Sequence, residues 1–197
     1  MTKLRIGVII GSTRPGRRGE QVARWVQENA QQLRDDAVFE LVDLADFPLP
    51  HLDEPMPASS GVYEKEHTRA WSQKVDSYDG YVFVTPEYNH TTSGVLKNAL
   101  DFLNREWNDK AAAIVSYGAS ASGLRAVENL RIVLSELQLA HVRQNVAFSL
   151  VHDFEAFTTL NATTQHTKQL EVMLDQLISW GDALRGVREQ RLAKIAA

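Results

Sequence analysis

Apolar residues recur along this chain at two spacings that alternate. Leu4–Ile10 (LRIGVII) is a compact, β-branched run that stops at a glycine, the pattern of a strand buried on both faces. Residues 21–33 then place Val22, Ala23, Trp25, Val26, Ala30 and Leu33 at helical spacing, and residues 39–44 (FELVDL) return to a strand. Residues 45–61 hold four of the six prolines and continue neither element, which predicts a long loop. Beyond it the pattern predicts a helix over 63–75, a strand over 81–85 (YVFVT) and a short helix over 93–103. A strand over 111–117 (AAAIVSY), a helix over 123–137, a strand over 142–150 and a last helix over 164–184 follow.

Strict alternation of strands and helices predicts an α/β fold: a doubly wound five-stranded parallel sheet in the order 2-1-3-4-5, with helices on both faces. At 197 residues the chain fits one domain spanning 1–197. In that order the crossovers leaving strands 1 and 3 depart in opposite directions and open a crevice at the strands' carboxyl ends. Three loops reach it: 11–19, 86–92 and 118–122.

The first loop, GSTRPGRRGE, joins a buried strand to a helix start and has the outline of an anion site. Its glycines let backbone approach a phosphate, the helix start offers free N–H groups and a favourable dipole, and Ser12, Thr13, Arg14, Arg17 and Arg18 add donors. Gly11 and Gly16 have P-loop spacing, but Arg17 and Arg18 replace the lysine and the magnesium-binding hydroxyl of GxxxxGK[ST]. Thr13 replaces the second glycine of GxGxxG, which disfavours a dinucleotide pyrophosphate. A terminal phosphomonoester fits better. The second loop, TPEYNHTTSG, offers Pro86, the cap formers Asn89, Thr91, Thr92 and Ser93, and one ring, Tyr88; it suits a flat heteroaromatic ring with polar edges, and equally a well-capped turn. The third, SYGASASG, is small and glycine-rich.

Composition narrows the chemistry. A net charge of -4 provides no general field for nucleic acid or anionic membrane. Without cysteine there are no disulfides, thiolate metal sites or thiol nucleophiles. His51, His67, His90, His141, His152 and His166 have no metal-ligand spacing, Asp43, Asp46, Asp53 and Glu54 read as a solvated acidic loop, and the third loop lacks a GxSxG elbow. Trp71, Trp107 and Trp180 read as packing residues. The apolar run at the amino terminus is too short for a secretory core or a membrane span, so the expected location is cytoplasmic.

The pair GSTRPGR and TPEYNHTTSGVLKNALDFL resembles the signature of the NADPH-dependent FMN reductases, flavodoxin-like proteins that include quinone, azo-compound and chromate reductases. The match in pattern covers roughly residues 4–123. The resemblance implies that Ser12, Arg14, Gly16, Arg17, Arg18 and Glu20 surround the phosphate of FMN. It implies that Pro86, Glu87, Tyr88 and Asn89 line the isoalloxazine, and that Ser116, Tyr117 and Gly118 meet its far edge. Arg17 and Arg18 stand where many relatives carry serine or threonine. It further implies NADPH or NADH as electron donor, a small-molecule acceptor such as a quinone, and a homodimer or homotetramer with each flavin near a subunit interface to which Trp107 and the helix from Ser93 contribute. No catalytic side chain is required, because the cofactor carries the chemistry. A flavodoxin-type electron carrier or FMN-binding regulatory protein would share every phosphate contact. The mild acidity favours the enzyme over the carrier.

Overall fold

The computed structural model describes residues 2–196. Its sheet contains β1 (Leu4–Ile10), β2 (Ala37–Asp43), β3 (Gly80–Pro86), β4 (Lys110–Gly118) and β5 (Leu139–Ser149). They are all parallel, in the order β2-β1-β3-β4-β5 that the alternation predicts. The helices are α1 (Gly19–Leu33), α2 (Glu66–Asp76), α3 (Gly94–Asp101), α4 (Leu124–Glu136) and α5 (Thr164–Ala196).

Period-two alternation in the central strands feeds two cores. Val82 and Val84 of β3 turn toward Val22 and Val26 of α1 and Leu174 and Leu177 of α5. Tyr81 and Phe83 turn the other way, toward Trp71 of α2, Leu100 of α3 and Leu130 of α4. Trp71 donates from Nε1 to the Ala99 carbonyl (2.8 Å), so its burial leaves no orphaned N–H. Trp107 is 0% exposed and packs in the same core, so the expectation that it lies near a subunit interface is corrected: it has no surface to offer. Trp180, read as a packing residue, is 45% exposed on the outside of α5.

Three departures have physical causes. The last helix was expected to stop near residue 184, where apolar periodicity ends; it continues because arginines at three-residue spacing tie it to the sheet. Arg185 donates to the Thr2 carbonyl (2.8 Å), Arg188 to Asp79 (2.6 Å) and the Asp109 carbonyl (2.8 Å), and Arg191 to Asp109 (2.6 Å). A small antiparallel hairpin, β6 (Phe154–Glu155) and β7 (Thr159–Leu160), occupies a stretch without strand signal. Finally, β5 starts at Leu139 and shifts register between its pairs His141 and Asn145 with Ala112 and Ile114. There Arg131 of α4 donates to the carbonyls of Val142 and Arg143 (both 2.9 Å), and Gln176 of α5 accepts from the Gln144 amide (3.0 Å).

Candidate functional site

The order of the sheet brings the ends of β1, β3 and β4 together, and their loops are stitched to one another. Gly11 leaves β1 through a hydrogen bond from its amide to the Val84 carbonyl (2.8 Å). A Cβ there would stand 2.7 Å from that same oxygen, so only glycine fits. Ser93 donates to the Gly11 carbonyl and accepts from the Leu96 amide (3.2 Å), which caps α3 and binds it to the first loop. Ser12 is 1% exposed, and its Oγ lies 3.0 Å from the Tyr88 hydroxyl, joining the first loop to the second. The tip of the first loop is a tight turn with Pro15 and Gly16 at its centre, Gly16 at φ 70°, closed by Arg17 N–H to the Arg14 carbonyl (3.0 Å).

The charged residues of this loop divide. Arg14 is exposed at the rim. Arg17 turns back to the Ser12 carbonyl (2.7 Å) and pairs with Asp43, the last residue of β2. Arg18 donates from Nε to the Phe157 carbonyl (2.7 Å) in the β6–β7 hairpin, and Gln21 donates to Thr158 (2.7 Å) beside it. Glu20 pairs with Arg24 one turn along α1, and that hydrogen bond holds its carboxyl below the ordinary value. Of the three arginines read as phosphate donors, Arg17 and Arg18 are engaged elsewhere in the fold, and among the described residues the Arg14 side chain is not.

The second loop is a two-residue turn. Tyr88 and Thr91 bond each other through both amides (2.9 and 3.1 Å), and Asn89 and His90 between them lie in the left-handed region at φ 51° and 67°. Pro86 is buried as the last residue of β3, and the Glu87 amide donates to the Tyr117 carbonyl (3.2 Å). The Glu87 side chain, 7% exposed, is paired with Arg125 of α4. In the third loop Ser116 donates from Oγ to the Ser122 carbonyl (2.9 Å), while a Cβ on Gly118 would approach the Gly123 amide to 2.8 Å. Tyr117 points its hydroxyl at the start of α1, where a Cβ on Gly19 would stand 2.7 Å from it. Among the described residues that hydroxyl has no well-formed hydrogen bond, and burial pushes the phenol above its ordinary range, with the Gly19 amide and Ser12 beside it only partly opposing. Whereas Ser93 caps α3, Arg18 at the start of α1 makes no side-chain cap, so the first-turn amides of α1 face the loop uncapped.

The family model for NADPH-dependent FMN reductases matches residues 4–153. The chain belongs to that family. It is an oxidoreductase that works with FMN and a reduced nicotinamide donor. An NAD(P)H-dependent FMN reductase of Schizosaccharomyces pombe is 39% identical over 168 residues, 84% of this chain and 83% of that protein. A 2-hydroxy-1,4-benzoquinone reductase of a Burkholderia species is 30% identical over 199 residues, 96% and 99% of the two chains. In fold, a flavoenzyme NAD(P)H:(acceptor) oxidoreductase from Paracoccus denitrificans superposes with a TM-score of 0.70 at 20% identity, covering 91% of this chain and 98% of that one.

The residues gathered at this edge of the sheet could hold the phosphate of the flavin. An uncapped helix start, a glycine that admits no Cβ, and the buried hydroxyls of Ser12 and Tyr117 beside it are polar groups of the kind that a phosphate needs. The reading of Asp43 as part of a solvated acidic loop is corrected, since it ends β2 paired with Arg17, and Arg125 was missed. Asp43 was legible in principle: parallel register pairs it with Ile10, one residue before the first loop. Arg125 had no signal, because its two partners lie 38 and 35 residues away. Among the described residues no helix is long and apolar enough to cross a membrane.

Proposed function

We propose that this chain, acting as a single domain, holds FMN at the carboxyl edge of the sheet and passes electrons from NADPH or NADH to a quinone-type acceptor. The observation that carries the reading is the Ser12–Tyr88 hydrogen bond (3.0 Å), which fixes the loop fit for a phosphate against the turn fit for a ring. In this reading Ser12, Arg14, Gly16 and the first-turn amides of α1 through Glu20 take the phosphate. Arg17 and Arg18 shape that loop, through Asp43 and the hairpin respectively. Pro86, Glu87, Tyr88 and Asn89 line one edge of the ring, and Ser116, Tyr117 and Gly118 the other. Bound FMN supplies the redox chemistry, accepting hydride equivalents from nicotinamide and returning electrons to the acceptor. The protein's part is to align the partners and set the field around the ring.

The acceptor class rests on relatives such as the benzoquinone reductase and a probable NADPH:quinone oxidoreductase of rice, 33% identical over 152 residues. Exposed Leu52 and Met56 of the proline-rich loop and Val95 of α3 support assembly into a homodimer or homotetramer. Dependence on a reduced nicotinamide, an intracellular reductant, supports a cytoplasmic location. Purified protein should be yellow or take up FMN at one per chain, and anaerobic NADPH or NADH should bleach it. Failure to bind FMN under any condition refutes the reading. A flavin that binds but is never reduced by either nucleotide supports the carrier instead.

A further inference from the structure

The turn at Asn89–His90 is held in a backbone that its sequence does not favour. Two-residue turns with both central residues left-handed prefer asparagine or aspartate followed by glycine; here the second position is a histidine at φ 67°. Something outside the turn must hold it. The structure shows what does. Arg125, on the first turn of α4, donates from Nη1 to His90 Nε2 (2.6 Å), and Asn129, one turn further along the same helix, donates from Nδ2 to the His90 carbonyl (3.1 Å). The same guanidinium donates from Nε to Glu87 (2.6 Å), whose other carboxylate oxygen accepts the Arg125 backbone amide (3.2 Å). Side chain and carbonyl of His90, and both oxygens of Glu87, are thus gripped by one helix face.

We propose that Arg125 is a positioning residue for the flavin reaction: it latches the Glu87–Thr91 turn to α4 and thereby fixes the backbone that faces the FMN ring. The inference rests on the reading of this turn as flavin-lining. Arginine is required by geometry, since one planar fork reaches a carboxylate and an imidazole at once, whereas a lysine ammonium pairs with Glu87 and leaves His90. Because Tyr88 carries the bond to Ser12, loosening the turn also loosens the phosphate loop.

The test is amide hydrogen exchange of residues 88–91 in the flavin-free protein, together with the FMN dissociation constant from quenching of flavin fluorescence. Arg125→Ala should raise exchange in the turn at least tenfold and weaken FMN about tenfold. Arg125→Lys should fall between that variant and the parent. Adding His90→Gly to Arg125→Ala should recover part of the FMN affinity, because glycine holds a left-handed backbone without a latch. The Arg125 side chain is 42% exposed, so its truncation opens no core cavity; should the variant still fail to fold, Asn129→Ala leaves the Glu87 pair intact and should raise exchange in the same amides. Exchange within twofold of the parent in both Arg125→Ala and Asn129→Ala overturns the latch. Faster exchange with unchanged FMN affinity overturns the placement of the turn against the ring. A parent protein that binds no FMN overturns the functional reading, while the exchange data still judge the latch.

Discussion

Arg17 provides the sharpest test of the phosphate site, because its expected role changes with the structure. Its guanidinium is 13% exposed and faces Asp43, whose carboxylate is 21% exposed, with a second bond to the Ser12 carbonyl at 2.7 Å. Arg17→Ala therefore does two things at once. It frees Ser12, a loss of about 1 kcal/mol for a part-buried hydrogen bond, and it leaves a carboxylate unpaired at the edge of an anion site, worth about 1–2 kcal/mol more. The sum of about 2–3 kcal/mol corresponds to roughly thirty- to a hundred-and-fortyfold weaker FMN binding. The second component is electrostatic, so Asp43→Asn in the Arg17→Ala background should recover about three- to tenfold, and riboflavin, which has no phosphate, should lose only a fewfold. Isothermal titration of FMN and riboflavin against the parent, both single variants and the double variant supplies the comparison. If Arg17→Ala and the double variant bind FMN equally, the carboxylate does not act on the site. If riboflavin suffers as much as FMN, the first loop is not a phosphate loop.

Lys110 gives a pH prediction: its side chain is 3% exposed and donates to the Val75 and Asp76 carbonyls (3.2 and 3.3 Å), yet burial pulls its ammonium from 10.5 down to about 8, with the Asp76 carboxylate only partly opposing. The folded chain thus releases this proton while the unfolded chain still holds it between about pH 8 and 10.5, so stability relative to Lys110→Met should rise across that window. The rise should total about 3 kcal/mol in urea unfolding, and a flat difference refutes it. Gly11→Ala should lower stability by about 2 kcal/mol, since its Cβ meets the Val84 oxygen at 2.7 Å and Leu96 Cδ2 at 2.9 Å; a melting temperature within a degree of the parent counts against that fit. Turnover should give parallel double-reciprocal plots for NADPH at several quinone concentrations, because one ring face stacks one partner at a time; intersecting lines indicate separate pockets.

The sheet was legible because each strand is a compact apolar run bounded by turn formers, and the parallel order then follows from alternation. Boundaries slipped where tertiary contacts outvote local pattern. The helix was expected to end near residue 184, yet the arginines beyond it find aspartates just ahead of β3 and β4. The Ser12 and Tyr88 loops were legible as a pair, while the division of labour among Arg14, Arg17 and Arg18 was not. Which of three adjacent arginines faces a ligand depends on carboxylates and carbonyls at residues 43 and 157, and spacing within the loop contains no record of them. His90 illustrates the same limit, since its left-handed backbone is intelligible only beside α4.

The register shift near the middle of β5 bears on how this protein behaves in a crowded solution. A parallel sheet ends in bare edges, and an edge with free carbonyls and amides invites a strand from another molecule. Here the carbonyls of Val142 and Arg143 are already taken by Arg131 and the amide of Gln144 by Gln176, so an incoming strand would find the ladder interrupted at three consecutive residues. The guanidinium on α4 and the amide on α5 thus act as two stoppers along this edge, which leaves an incoming strand no continuous ladder on β5.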